Sequence, residues 1–236
     1  MPNQIPTLLP IIEKHRLPGL ELGDDFIYPK YDGDSILNIP TSICRWLNVP
    51  DLGAGALRPE LLLSPGEGVR RVVLILMDAL ALHRFTRWLD EKRNPVWNRL
   101  LESGTLAPLT SISPSTTSAA TTTLWTGASA AEHGIAGYEL WLKEYGIVTN
   151  MILHTPIAFQ VGVGDLAKAG FKPPEYLQMT TLGEHLKAHG VQPYAFLHHS
   201  ISHSGLSTMQ MREVEIAPFS TPVDLWVTMR ELFDEK

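Results

Sequence analysis

Hydrophobic and polar positions change rhythm several times along this chain. Val72–Met77, within GVRRVVLILMDAL, is six apolar residues in a row with no polar alternation. Such a run predicts a strand buried on both faces, as in a parallel sheet, and it ends at Asp78. RFTRWLDEKRNPVWNRLLESG (Arg84–Gly104) then takes up helical spacing, interrupted near Pro95 and closed by Gly104. A short strand, Thr105–Ile112, and a Ser/Thr-rich turn lead into a helix that closes on Gly127. GYELWLKEYGIVTNMIL (Gly137–Leu153) predicts a hairpin turning near Glu144–Gly146. Further on, the pattern predicts a helix over Met179–Gly190, a strand over Val191–His199 and an amphipathic helix over Thr221–Glu235. Strands alternating with helices indicate an α/β domain with a largely parallel sheet. The alternation stops on a helix, with no following strand to pack against it.

Residues 1–68 follow no such rhythm. They are rich in proline and glycine, and predict one helix around Thr41–Leu47, with Pro40 in its first turn. They are expected to form an N-terminal extension packing on a core made by residues 69–236. The whole chain, at 236 residues, can bury one sizeable core. Its 19 Lys and Arg against 25 Asp and Glu leave a net charge of −6, which supplies no basic face for a nucleic-acid backbone. A single cysteine, Cys44, excludes an internal disulfide framework and a cysteine metal cluster. The N-terminus carries no Lys or Arg ahead of its short apolar run, which two prolines interrupt, so it makes a poor secretory signal. The Val72–Met77 run is far too short to span a bilayer. These features predict a cytoplasmic protein without a membrane partner.

The chemistry is concentrated in Thr105–Ala131. These 27 residues contain no Asp, Glu, Lys or Arg, yet 13 are Ser or Thr, and strong strand and helix signals flank them, which marks a buried element rather than a low-complexity linker. Ligands of open α/β sheets gather at the carboxyl ends of strands, where Asp78 is expected. Thr116, Thr117 or Ser118 begins the helix after the next strand, and a helix N-terminus offers unpaired N–H groups suited to phosphate. A carboxylate to hold a metal and a hydroxyl for the metal to activate are the minimal pieces of metal-assisted phosphoryl transfer.

In order along the chain stand VRRVVLILMDAL with Asp78, then Pro114-Ser115-Thr116-Thr117, Thr126-Gly127, His133-Gly134-Ile135 and Gly137-Tyr138. This series resembles the type I phosphodiesterase/nucleotide pyrophosphatase family of the alkaline phosphatase superfamily, over roughly residues 69–155. The resemblance implies an alkaline-phosphatase-like three-layer α/β domain with a largely parallel central sheet, of which residues 69–236 would be the N-terminal part, truncated at the C-terminus. It implies Thr117 as the nucleophile and a metal contact, Asp78 as a metal ligand, and two divalent metal ions, zinc by family habit. Thr117 would form a phospho-threonine intermediate on a small phosphate-ester substrate, with Ser118 and its successors holding phosphoryl oxygens. Where nucleotide-cleaving members have an asparagine after the nucleophile, this chain has Ala120, which offers no side-chain donor.

The remaining histidines carry less. His185 and His189 stand i, i+4 on a predicted helix but lack the HExxH arrangement, which favours a solvated face. His198, His199 and His203 sit at a predicted strand end and are weaker candidates for a cleft lining. His133 is expected to fix a turn. The alternatives are a phosphomutase or phosphonate hydrolase of the same superfamily, or a non-catalytic or incomplete α/β module lacking the second half of the metal site.

Overall fold

The computed structural model describes residues 3–62, 69–158 and 162–235. The boundary expected after residue 68 lies outside the described residues.

The N-terminal segment forms α1 (Ile5–Lys14) and then a 3-10 turn, Ile36–Asn38, running directly into α2 (Ile39–Trp46). Pro40 sits in the first turn of α2, where its missing N–H costs nothing. This segment is tied to the middle of the chain by backbone bonds. The Gln4 N–H donates to the Leu106 carbonyl at 2.8 Å, Ile36 to Thr110 at 3.0 Å, and Thr110 to Asp34 at 2.8 Å. The predicted strand Thr105–Ile112 is thus an extended segment bridged at Leu106 and Thr110 rather than a full strand. Asp34 is completely buried beside this crossing, and its carboxylate is clasped by Arg58 and Lys30.

The helical stretch after Asp78 splits as Pro95 requires. α3 (Leu82–Asp90) ends before it, and α4 (Pro95–Ser103) starts on it, with the Asn94 side chain accepting the Val96 N–H at 2.9 Å. Gly104 is the C-cap as expected, in an extended conformation, its N–H donating to the Leu100 carbonyl at 2.8 Å. Neither helix has a buried residue. Next come α5 (Thr117–Thr126) and the short α6 (Ala130–His133), each closed by a left-handed glycine, Gly127 and Gly134.

At Gly127 the backbone of the N-terminal segment crosses so closely that a Cβ would lie 2.5 Å from the Leu52 carbonyl oxygen. The Gly127 carbonyl accepts the Ala54 N–H at 2.8 Å at the same crossing.

The hairpin forms as predicted, with β1 (Glu139–Leu142) antiparallel to β2 (Ile147–Asn150), and β2 pairs in turn with the short β3 (Thr155–Pro156). α7 (Pro173–Tyr176) and α8 (Leu182–Ala188) follow, α8 opening on a reciprocal Thr181–Glu184 capping box. β4 (Tyr194–His198), α9 (Gly205–Gln210) and β5 (Glu215–Phe219) make a parallel strand–helix–strand unit, and α10 (Pro222–Glu235) packs on β5.

The protein is therefore a mixed α/β structure with, among the described residues, two small sheets, one three-stranded and antiparallel, one two-stranded and parallel. The expectation of a largely parallel central sheet is corrected in one respect. Val72–Met77 forms no strand, and Val73 to Met77 are 49–61% exposed. A segment with no polar face needs hydrogen-bonded neighbours at both edges and packed layers on both sides. Among the described residues no strand pairs with it.

Burial is concentrated elsewhere. One cluster joins Ile135, Leu142, Met151, Leu166, Phe171, Leu177, Leu206 and Met209. A second gathers Leu37, Ile112, Ala119 and Ala130, and a third Ile43, Cys44, Leu182 and Leu186. α5 packs with α2, α6, α8 and α9, and lies between these clusters.

Candidate active site at the start of helix α5

Six of the ten residues of α5 are Ser or Thr, a poor helical composition. Packing against α2, α6, α8 and α9 holds the helix, and its hydroxyls are satisfied by returning to its own backbone. Thr121 Oγ1 donates to the Thr117 carbonyl at 2.8 Å, Thr122 Oγ1 to Ser118 at 2.7 Å, and Thr126 Oγ1 to Thr122 at 2.8 Å. Each polar side chain can then enter the core without an unpaired group. The expectation of a buried element in Thr105–Ala131 holds for α5, in which Ser118, Ala119, Thr122, Thr123, Leu124 and Thr126 are all buried.

The first turn of α5 lacks the side-chain cap that closes the starts of α6 and α8. Thr116 occupies the N-cap in an extended conformation, yet its side chain caps nothing. At α8 the Thr181–Glu184 pair satisfies its own opening turn, and at α6 Ser129 and Glu132 do the same. The Ala120 N–H is the first in α5 to reach back, to the Thr116 carbonyl at 2.8 Å. The N–H groups of Thr117, Ser118 and Ala119 are left without acceptors among the described residues. Thr117 stands exposed on this turn. Ser118 is buried, and its hydroxyl donates to the Gly137 carbonyl at 2.7 Å. What Ser118 offers to a ligand is its backbone N–H rather than its hydroxyl.

His133 locks the turn behind the helix. Its Nδ1 accepts the Ile135 N–H at 3.0 Å, which leaves the proton on Nε2 to be donated to Thr123 Oγ1 at 3.1 Å. Burial pushes its pKa down to about 4, against the opposing pull of the Ala119 carbonyl and the Glu132 charge. It is a neutral structural imidazole.

Asp78 lies on an exposed turn after the Val72–Met77 run and accepts the N–H of its own neighbour Ala79 at 2.7 Å. No hydrogen bond or ion pair links it to α5 among the described residues. Thr117 and Ser118 share one helical turn; Asp78 comes from a different segment.

Four other histidines take backbone or serine partners away from α5. His185 Nε2 meets the Pro50 carbonyl at 2.7 Å, and His189 Nδ1 the His185 carbonyl at 2.8 Å. His198 Nδ1 pairs with Ser200 Oγ at 2.8 Å and His203 Nδ1 with Ser202 Oγ at 2.9 Å. Among the described residues, no three His, Cys, Asp or Glu side chains gather where they could hold a metal ion. A catalytic zinc takes three protein ligands, and the two oxygens of Asp78 and Thr117 fall short of that number. The described residues therefore do not fit a two-metal centre.

The interaction that the sequence did not disclose is made by Gln210. Buried on α9, its Nε2 donates to Thr121 Oγ1 at 3.1 Å and to Thr122 Oγ1 at 2.6 Å. No spacing signal exists for a contact across nearly ninety residues.

The family model for type I phosphodiesterase/nucleotide pyrophosphatase matches residues 72–224, well over half of the chain. No curated protein and no solved structure gives a significant match. No helix among the described residues is long and apolar enough to cross a membrane.

Proposed function

The chain belongs to the type I phosphodiesterase/nucleotide pyrophosphatase family, and on that premise we propose that it hydrolyses phosphodiester or pyrophosphate bonds of small substrates through a phospho-threonine at Thr117. The observation that carries this reading is the uncapped first turn of α5. It sets an exposed hydroxyl beside three N–H groups that have no acceptor among the described residues, at the positive end of a ten-residue helix.

In the proposed reaction Thr117 Oγ1 attacks phosphorus, the bond to the leaving alcohol or phosphate breaks, and the hydroxyl proton passes to solvent. Water then attacks the phospho-threonine, restoring the hydroxyl and releasing the phosphoryl product. The backbone N–H groups of Ser118 and Ala119 hold the non-bridging oxygens as charge builds on them. Asp78 is the carboxylate that the family resemblance assigns to a divalent metal, zinc by expectation. Among the described residues the constellation holds at least one carboxylate or imidazole too few to bind that metal. Cytoplasmic residence and a small phosphate-ester partner belong to the same proposal.

The incomplete ligand set favours one rival, a non-catalytic α/β module. Turnover of bis-p-nitrophenyl phosphate by the full-length protein, with and without chelator, decides between them. Thr117→Ala is expected to abolish turnover while leaving the fold intact. Retention of activity within a few-fold of wild type overturns the assignment, and absence of turnover in the wild-type protein at any divalent metal supports the module.

A further inference from the structure

We propose that Gln210 is a positioning residue for this site, acting through Thr121 and Thr122 to orient and strengthen the two N–H groups that face the phosphoryl group. The inference rests on the reading of the α5 first turn as the phosphoryl site.

The geometry forms two parallel relays. One carboxamide nitrogen donates both of its protons, one to Thr121 Oγ1 and one to Thr122 Oγ1. A threonine hydroxyl has a single proton, and an oxygen that accepts from Gln210 directs that proton elsewhere. In Thr121 it goes to the Thr117 carbonyl, and in Thr122 to the Ser118 carbonyl. Those two carbonyls belong to the peptide units that carry the N–H groups of Ser118 and Ala119. A hydrogen bond accepted at the carbonyl end of a peptide polarises its N–H end and makes it a better donor. The two amides so affected are among the three left without acceptors in the first turn.

The carboxamide is rigidly mounted. Leu206, Ser207 and Met209 of α9 are buried with it, Met209 completely, and Ser207 Oγ is tied to the Ile201 carbonyl at 2.7 Å. Gln210 itself is 2% exposed and does not face the open side of the turn where substrate would sit. Its influence travels through the threonines.

The test uses the full-length protein with bis-p-nitrophenyl phosphate, together with amide hydrogen exchange resolved at Ser118 and Ala119. Gln210→Met keeps the length of the side chain and removes its donors. It is expected to lower kcat about tenfold, because small displacements at a reacting centre are costly, and to leave KM within about twofold. Exchange at the two amides is expected to change, with the rest of α5 unaltered. The Thr121→Val/Thr122→Val variant is expected to match this loss, and adding Gln210→Met to it should cost nothing more, as required of residues acting in one relay.

Unchanged kcat and exchange in Gln210→Met, or losses that multiply in the triple variant, overturn the proposal. If Gln210→Met fails to fold, the threonine pair decides: a kcat loss at constant KM supports the relay, and wild-type kcat overturns it. If Thr117→Ala keeps full activity, the nucleophile assignment falls, and the exchange comparison alone decides the relay.

Discussion

The Val72–Met77 run and helix α5 receive opposite treatment from the fold. The first is wholly apolar and, from Val73 on, lies open to solvent; the second is mostly hydroxyl-bearing and lies among the core clusters. Composition alone predicts the reverse. The difference lies in what each segment can satisfy by itself. A helix closes its own backbone hydrogen bonds, and the threonines of α5 add their hydroxyls to carbonyls one turn back, so nothing polar enters the core unpaired. A strand has no such self-sufficiency. Its N–H and C=O groups point to neighbours, and an apolar run without those neighbours gains little from collapse.

That contrast can be broken most severely at Asp34. Its carbonyl accepts both the N–H and the hydroxyl of Thr110, while its buried carboxylate holds Arg58 and Lys30. Asp34→Ala leaves two cations facing a buried space and is expected to cost about 3–5 kcal/mol in urea unfolding. A loss below about 1 kcal/mol would mean that the segment leading into α5 does not depend on this anchor.

The contrast sharpens with pH. His133 and His154 are buried, and burial holds both at about 4, well below the ordinary 6.5. Neither ring nitrogen of His154 has a hydrogen-bond partner, and its ring stands edge-on to Phe171 at 5.0 Å. As pH falls from 6.5 towards 4, the unfolded chain takes up protons that the folded chain refuses, so stability is full above 6.5 and declines through this window. Each histidine accounts for roughly 3 kcal/mol of the decline. Below about 4 neither contributes further. His154→Leu is expected to remove about half of the pH dependence measured by urea midpoints at pH 7 and pH 4.5; an unaltered slope would refute the role of this ring.

The smallest effect is expected in the exposed run. Ile75→Ser should shift stability by no more than about 0.5 kcal/mol, the range of ordinary surface changes. A loss of 2 kcal/mol or more, on the scale of a core truncation, would show that the segment is buried in solution and would remove the contrast.

Several elements were legible because their signals are local. Pro40 starts α2 within its first turn, Asn94-Pro95 opens α4, Gly127 closes α5, and the Glu144–Gly146 region turns the hairpin. β5 has no sequence signal, because EIAPF lacks alternation and carries Pro218, which a strand tolerates only at an edge such as this one. The strand predicted at Val72–Met77 does not form because its pattern reports what the segment needs, not what packs against it. The start of α5 was visible as a hydroxyl-rich helix opening, whereas Gln210 and the Asp34–Arg58 pair were not, since their contacts join residues far apart in the chain.

The crossing at Gly127 bears on the opposite end of the same helix. Ten residues make a rod about 15 Å long, pinned at one end where main chain meets main chain and at the other by the Ser118 and Gln210 contacts, with the Thr117 side chain in solvent. A tilt of about 4° about the crossing, taken up by those contacts, would carry Thr117 by about 1 Å, a displacement able to slow a positioned reaction roughly a hundredfold. Leu52, Gly53 and Ala54 are thus the fulcrum of a lever, and residues remote from the hydroxyl in sequence govern where it stands.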